Sequence, residues 1–322
     1  MPPSEATDRQ TVQMQSFASR LMPFVIRLRG SKRRYSSAER TLARVEELRL
    51  KPKSFEPPHS LSRIVDVRRR EVGGWPVYEL SPLRSDAPSR RALYLHGGSF
   101  VYEISSQHWQ LAAYLAIETD ARVIVPIYPL APAGTALGTV TGCADLAEAL
   151  IAEVGADNVT VLGDSAGGCM ALATGLVLRD RAEGPAPASA PRLILISPVL
   201  DLSLTDPRVA ELAVDDPWLA IPGSRVTGEL YRGDLPIDHP LVSPIHGELS
   251  GLGPIAQYSG TRDMLNADAQ RLVALARTAG HPLEYHEVAG MIHVYPLLPI
   301  PEATAAKRSM VEFMTRPLPV RE

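Results

Sequence analysis

One serine, Ser165, lies at a junction that could support nucleophilic catalysis. The stretch VTVLGDSAGGCMALATGLVL, residues 159–178, opens with a β-branched run that predicts a strand and continues as an apolar run that predicts a buried helix. A sharp strand-to-helix turn exposes the middle side chain and excludes side chains two positions away, where Gly163 and Gly167 stand. The N-terminus of the following helix favours negative charge beside the hydroxyl. We therefore predict that Ser165 is a nucleophile rather than a simple helix cap.

A serine nucleophile needs partners from elsewhere in the chain. Its hydroxyl is a poor nucleophile at neutral pH, so a base must take its proton, and donors must stabilise the oxyanion that forms. The segment ALYLHGGSF ends a predicted strand with His96, Gly97, Gly98 and Ser99. A glycine-rich turn after a strand can present backbone N–H groups at close range. We expect this turn to supply the donors.

Strands that alternate with helices predict the fold that positions these residues. From about residue 63, apolar runs of strand length alternate with runs of helical length. This pattern is typical of a mostly parallel sheet with helices on both faces. The first pair, RIVDVRRREVGGWPVYEL, alternates between apolar and polar residues around a GGW turn, so we expect it to supply an antiparallel edge.

The rhythm of the chain suggests four segments. Residues 1–60 are predicted to form N-terminal cap helices, because apolar side chains from Met14 to Val25 recur at helical spacing and Ser36 or Ser37 provides a cap for a second helix. Residues 201–250 interrupt the strand–helix alternation with Asp, Pro and Gly, and an insertion there should lie above the ligand crevice. We expect this cap insertion to separate two parts of the core, residues 61–200 and 251–322.

A basic run, RLRGSKRRY at residues 27–35, joins the two predicted cap helices. It can be interpreted as a solvated hinge or as a surface that touches an anionic membrane. We favour the hinge at this stage.

Composition limits the class of protein. The chain has 322 residues, 45% of them apolar and 21% charged, with a formal net charge of -3, which argues against nucleic acid as a partner. Its two cysteines, Cys143 and Cys169, lie in apolar surroundings and are expected to be buried free thiols, as in a reducing compartment. No apolar signal core or membrane-spanning run is evident. We predict a cytoplasmic protein with no integral membrane segment, either a monomer or a homodimer.

The motifs together resemble the hormone-sensitive-lipase-like (family IV) esterases of the α/β-hydrolase superfamily. GDSAGG matches the serine motif of that family, and HGGSF matches its H-G-G-G loop with Ser99 in place of the last glycine. YPLAPA is similar to Y-x-L-A-P-E, with Ala133 in place of the acid; SPVLDLS and DPWL resemble the start of the cap insertion. The resemblance runs from about residue 92 to 296. It implies an α/β-hydrolase fold with an eight-stranded sheet and a helical cap.

The resemblance also implies the partners of the serine. GTRDML and GMIHVY are similar to the segments that carry the family's acid and base, here Asp263 and His293. Each follows a predicted strand, and the order Ser–Asp–His is the one expected for α/β-hydrolases. His286 lies within a predicted strand and Asp268 a turn into the next helix, so both are weaker candidates.

The oxyanion hole that the family motifs imply consists of the backbone N–H groups of Gly98, Ser99 and Ala166. Ser99 still offers its N–H, so we expect the hole to survive the departure from glycine. The loss of the acid at Ala133 should concern scaffold contacts. Such chemistry needs no metal, nucleotide or organic cofactor, and the sequence holds no zinc-type cluster or phosphate loop.

We therefore predict a serine carboxylesterase that hydrolyses small, short- to medium-chain esters through an acyl-enzyme. A lactone hydrolase, or an amidase or deacetylase, would use the same triad, whereas a non-catalytic ligand-binding protein on this fold would be expected to lack a triad member. The predicted apolar substrate pocket is formed by Val101, Tyr102, Trp109, Trp218, Leu219, Tyr231 and Val294. Other histidines, expected to be solvated, include His108, His239 and His246.

Overall fold

A computed structural model describes residues 15–85, 87–182 and 190–317, so Met14 and the rest of residues 1–14 of the predicted cap helices lie outside the described residues. Within those ranges the chain forms one sheet of eight strands. In chain order, β1 to β8 span Val65–Val72, Trp75–Pro82, Arg90–Leu95, Ala121–Pro126, Val159–Asp164, Arg192–Ile196, Ile255–Gly260 and Leu283–Val288.

The spatial order of the sheet is β1-β2-β4-β3-β5-β6-β7-β8. Strand β2 pairs antiparallel with β1 and with β4. The remaining neighbouring pairs, β4-β3, β3-β5, β5-β6, β6-β7 and β7-β8, are all parallel. The predicted hairpin is present, with Gly73 and Gly74 at φ 58° and 81° between its strands. It lies at the edge of the sheet, but only its second strand runs against the others. The eight-stranded, mostly parallel sheet agrees with the predicted fold class.

The helices cover both faces of the sheet and extend beyond it. In the described residues, α1 to α10 span Phe17–Leu28, Ser31–Arg34, Ala38–Leu50, Ser106–Thr119, Ala136–Val154, Ala166–Arg181, Pro207–Asp215, Ile221–Arg232, Asn266–Ala279 and Pro301–Thr315. Helices α5, α6 and α9 contribute to an apolar cluster on one face, and α4 and α10 contribute to a cluster on the other.

The central strands are apolar because both of their faces are covered. All residues of β5, β6 and β7 are buried. In β3, Leu93 and Leu95 join one apolar cluster, whereas Ala92 and Tyr94 join the other, as the two-residue period of a strand requires. Cys143 and Cys169 are buried and free, as predicted.

The N-terminal helices contact the helices inserted between β6 and β7. The N–H of Gly223, in α8, donates to the carbonyl of Tyr35 at 2.8 Å. The Nζ atom of Lys32, in α2, donates to the carbonyl of Ala213, in α7, at 2.6 Å. The basic run predicted as a hinge therefore includes a one-turn helix, Ser31–Arg34, that is bonded to the insertion.

Candidate active site

Ser165 occupies the turn between β5 and α6 in a conformation that few non-glycine residues adopt. Its φ is 54° and its ψ is -117°. A Cβ atom at Gly163 would lie 2.2 Å from the carbonyl oxygen of Gly167, and one at Gly167 would lie 1.9 Å from that of Leu95. Only glycine fits at these two positions, because the strand and the helix approach each other too closely for any side chain.

A chain of hydrogen bonds links Ser165 to a histidine and an aspartate. The Oγ atom of Ser165 is 3.0 Å from Nε2 of His293, and Nδ1 of His293 is 2.9 Å from Oδ2 of Asp263. Asp263 follows the end of β7 and His293 follows the end of β8, so the three groups meet at the carboxyl edge of the sheet. All three residues are buried. This arrangement can withdraw a proton from the serine hydroxyl and hold the resulting imidazolium.

The surroundings of His293 favour its protonated form. Burial by itself lowers the pKa of His293, but the charge and hydrogen bond of Asp263 outweigh burial, and Asp216 and Asp164 add to the effect. The net result is a pKa above the ordinary value of 6.5. A histidine in this position gains basicity from its carboxylate neighbour, as a general base requires.

Asp216 connects the inserted helices to the loop that carries Asp263. One carboxylate oxygen accepts from the N–H groups of Trp218 and Leu219, at 2.7 and 2.9 Å, and the other accepts from that of Met264 at 2.9 Å. The ring of Trp218 then meets the ring of His293 edge-on at 5.9 Å. Burial raises the pKa of Asp216 to about 6, and the nearby charge of Asp263 adds to the rise. Asp216 thus fixes an aromatic wall against the histidine.

The glycine-rich loop after β3 turns sharply beside Ser165. Gly98 and Ser99 have φ values of 128° and 51°. The hydroxyl of Ser99 is 2.8 Å from the hydroxyl of Tyr35, on the N-terminal segment. Ala166 is the first residue of α6, so its N–H lacks a partner within the helix. Gly98 and Ser99 line the same cavity as Ser165, Ala166 follows Ser165 directly in the chain, and the Ser99 hydroxyl is already hydrogen-bonded.

A buried polar network supports this loop from below. Asp164 accepts from the Tyr94 hydroxyl at 2.7 Å and from the Gly97 N–H at 3.0 Å. The Nε2 atom of His108 lies 3.3 Å from the second oxygen of Asp164. The expectation that His108 is solvated was therefore wrong, because only 12% of its side chain is exposed and its ring faces this carboxylate. Asp164 is committed to these groups and does not contact His293.

The two weaker candidates for acid and base have other partners. The ring of His286 stacks on the ring of Tyr258 with centroids 4.6 Å apart. Asp268 forms an ion pair with Arg271 at 2.7 Å. Neither residue is hydrogen-bonded to Ser165 or His293 among the described residues.

Ser165 and His293 open into a cavity of about 840 Å³. Five of the seven predicted pocket residues line it: Tyr102, Trp109, Trp218, Leu219 and Val294. The prediction was wrong for Val101 and Tyr231, which do not line this cavity. Both are buried in the core, and the ring of Tyr231 stacks on Phe100 at 3.8 Å. Aromatic type alone does not separate a core residue from a pocket residue.

Sequence reasoning missed the contribution of the N-terminal segment to the cavity. Met22, Val25, Ile26 and Tyr35 line it together with residues of the core. The helical spacing of apolar residues predicts that the segment packs on something, but no signal in the sequence connects Tyr35 with Ser99, 64 residues away.

Comparisons with known proteins agree with this fold. A family model described as the alpha/beta hydrolase fold matches residues 92–297. A triacylglycerol lipase of Mycobacterium tuberculosis is 34% identical over 75% of this chain and half of the lipase, so the match spans only half the length of that relative. An acetyl-hydrolase of Streptomyces hygroscopicus is 35% identical over 71% of this chain and 76% of that protein.

A solved structure of an esterase from the bacterial hormone-sensitive lipase family has a similar fold. Its sequence is 25% identical to this chain. The match covers 95% of this chain and 100% of the esterase chain, with a TM-score of 0.77. The similarity therefore includes the N-terminal and inserted helices as well as the sheet.

Proposed function

Because the chain belongs to the hormone-sensitive-lipase-like esterases of the α/β-hydrolase superfamily, we propose that it is a serine carboxylesterase acting on small, short- to medium-chain esters. The observation that carries the proposal is the hydrogen-bonded chain Ser165–His293–Asp263 at the wall of a large cavity. Names of relatives that include an esterase, a lipase and an acetyl-hydrolase support the same chemistry.

The proposed mechanism proceeds through an acyl-enzyme. Oγ of Ser165 attacks the ester carbonyl carbon while Nε2 of His293 accepts its proton. Asp263 holds the imidazole through Nδ1 and stabilises its charged form. The backbone N–H groups of Gly98, Ser99 and Ala166 donate to the oxyanion. The alcohol leaves with the proton from His293, and a water molecule then attacks the acyl group by the reverse route.

The dimensions of the site support small to medium esters. The cavity of about 840 Å³ lies within the usual range for small-molecule sites, and aromatic and aliphatic side chains form much of its wall. A much smaller space, about 20 Å³, also adjoins Ser165 and is lined by Ser99, Leu202 and Leu219 among others. Because Ser165 borders both spaces, the ester bond would lie between them.

A panel of substrates tests the proposed function. The purified protein should hydrolyse p-nitrophenyl acetate, butyrate and octanoate, and kcat/KM for these esters should exceed that for a p-nitroanilide and for a lactone of similar size. The amide requires stronger protonation of its leaving group, and His293, hydrogen-bonded to Ser165, is the group placed to donate that proton. A higher kcat/KM for the lactone or anilide would reassign the substrate class. Absence of turnover on every substrate would contradict the hydrolase itself.

The side chain of Ser99 should not be a catalytic donor, because its hydroxyl is bonded to that of Tyr35. We expect Ser99→Gly to change kcat on p-nitrophenyl acetate by less than about tenfold, whereas loss of an oxyanion donor typically costs roughly 10² to 10³. Glycine tolerates the positive φ at this position and enlarges the small space beside Ser165, so preference should shift toward bulkier acyl groups. Kinetics with acetyl and butyryl esters measure both effects.

Two variants serve as controls for Ser99→Gly. Tyr35→Phe removes the other half of the hydroxyl pair and should have a similarly small effect on kcat. Ser99→Pro should be severe, since proline has no N–H and cannot adopt a φ of 51°. Thermal unfolding must show that each variant is folded. A folded Ser99→Gly protein that lost a hundredfold or more would mean that the oxyanion hole includes the hydroxyl.

A further inference from the structure

The first helix carries an apolar stripe that no described residue covers. Phe17, Leu21, Phe24 and Leu28 recur at spacings of four, three and four residues, which places them on one face of α1. Their exposed fractions are 77%, 45%, 61% and 72%. Four large apolar side chains in one row differ from the scattered exposed residues that any protein surface shows.

The inner side of the same helix forms part of the active-site cavity. Met22, Val25 and Ile26 line that cavity, and none of the four stripe residues does. Helix α1 is therefore a wall with the cavity on one side and the exposed stripe on the other. A surface that contacted the stripe would lie beside the wall of the active site.

Polar contacts hold α1 in this position without covering the stripe. At its start, the carboxylate of Glu302 accepts from the N–H and hydroxyl of Ser16 and from the hydroxyl of Ser19, at 2.7 to 3.0 Å. Beyond its end, Lys32 donates to the carbonyls of Ala213 and Val214. The stripe thus projects from a helix that is fixed at both ends.

The segment that carries the stripe has charges of only one sign. Residues 15–38 contain no Asp or Glu, although the whole chain has a net charge of -3. They contain six cations: Arg20, Arg27, Arg29, Lys32, Arg33 and Arg34. None of the six forms an ion pair with another described residue.

We propose that α1 and the basic run after it dock this protein onto an anionic lipid bilayer. The stripe enters the headgroup region and the exposed arginines of the segment contact lipid phosphates, as in other amphipathic helices that lie in the interface. A helix of 12 residues is too short to span a bilayer, and no helix in the described ranges is long and apolar enough to do so. Docking would therefore be peripheral, with the wall of the cavity against the membrane.

Charge decides between a bilayer and a second copy of the chain. A symmetric dimer through this face would bring two identical clusters of six cations together and bury them without counter-charges. An anionic bilayer neutralises the same cluster. The docking goes beyond the proposed function and does not depend on it, because binding to lipid can be measured without turnover.

Vesicle co-sedimentation of the full-length protein tests the proposal. We expect binding to vesicles of phosphatidylcholine with phosphatidylglycerol, and at least tenfold weaker binding to phosphatidylcholine alone or in 1 M salt, since screening removes the attraction. The double variant Phe17→Gln/Phe24→Gln should bind at least tenfold more weakly. Arg27→Gln/Arg33→Gln should weaken binding about twenty-five-fold, because each cation near an anionic surface contributes about fivefold.

A matched control removes an exposed apolar residue elsewhere. Leu137, in α5, is 55% exposed, and Leu137→Gln should bind vesicles as the wild type does. All variants should hydrolyse p-nitrophenyl acetate at the wild-type rate in the absence of lipid. The proposal fails if anionic vesicles do not bind the wild type or if the phenylalanine variant binds them equally well. It also fails if the wild type is a dimer that the phenylalanine variant converts to a monomer.

Discussion

Replacing Ser165 with alanine should lower kcat on p-nitrophenyl acetate by roughly 10⁴ to 10⁶, the cost of removing a nucleophile from a triad on other scaffolds. The change deletes only Oγ, whose polar contact in the structure is Nε2 of His293. Alanine can occupy the strained turn as serine does, so the fold should persist. Steady-state kinetics and a melting curve measure the two properties separately.

A fluorophosphonate probe gives an independent measure of the same assignment. It should label the wild type and leave Ser165→Ala unlabelled. Ser62, an exposed serine in a short turn, offers a matched control, since Ser62→Ala should keep both labelling and turnover. Labelling that persisted after the loss of Ser165 would place the nucleophile elsewhere.

His293→Ala should cost about as much as Ser165→Ala, and the double variant should lose little more, because a triad acts as a unit. The base must be neutral to accept the serine proton, so kcat/KM of the wild type should fall as the pH is lowered through the pKa of His293. Since Asp263 and its neighbours raise that pKa above 6.5, the midpoint of the acid limb should lie above pH 6.5.

His286 supplies the contrast for this experiment. His286→Ala removes a ring that lies within β8 and stacks on Tyr258, so it should leave kcat nearly unchanged. If His286→Ala were inactive and His293→Ala active, the base would be His286, and the assignment to His293 would be wrong. A midpoint of the acid limb well below pH 6.5 would contradict the electrostatic account of His293.

Local sequence patterns predicted the sheet because each central strand is an apolar run with helices on both sides, and this signal needs no long-range information. The same is true of the turn at Ser165, where sterics alone require Gly163 and Gly167. Asp263 and His293 were less visible, because their positions just after predicted strands favoured them over Asp268 and His286 without identifying them. The resemblance to a family selected them, and the structure places them within hydrogen-bond distance of each other.

Features that depend on packing between distant segments were not predictable. Tyr231 and Val101 carry the residue types of a pocket, but the path of the chain places them in the core. His108 has the context of a surface helix residue, yet it pairs with Asp164 because α4 lies directly against that part of the sheet. The bond between Tyr35 and Ser99 likewise arises only once the N-terminal segment has folded over the glycine-rich loop after β3.

The separation between the wall of the cavity and its reacting atoms has an evolutionary consequence. The proposed nucleophile, base and acid come from turns at the edge of the sheet, where Gly163 and Gly167 leave no room for a Cβ atom. Part of the wall comes from α1 and from the turn held by Asp216, which are segments outside the sheet. Descendants of such a protein can therefore diverge in the substrates they accept while inheriting the same chemistry.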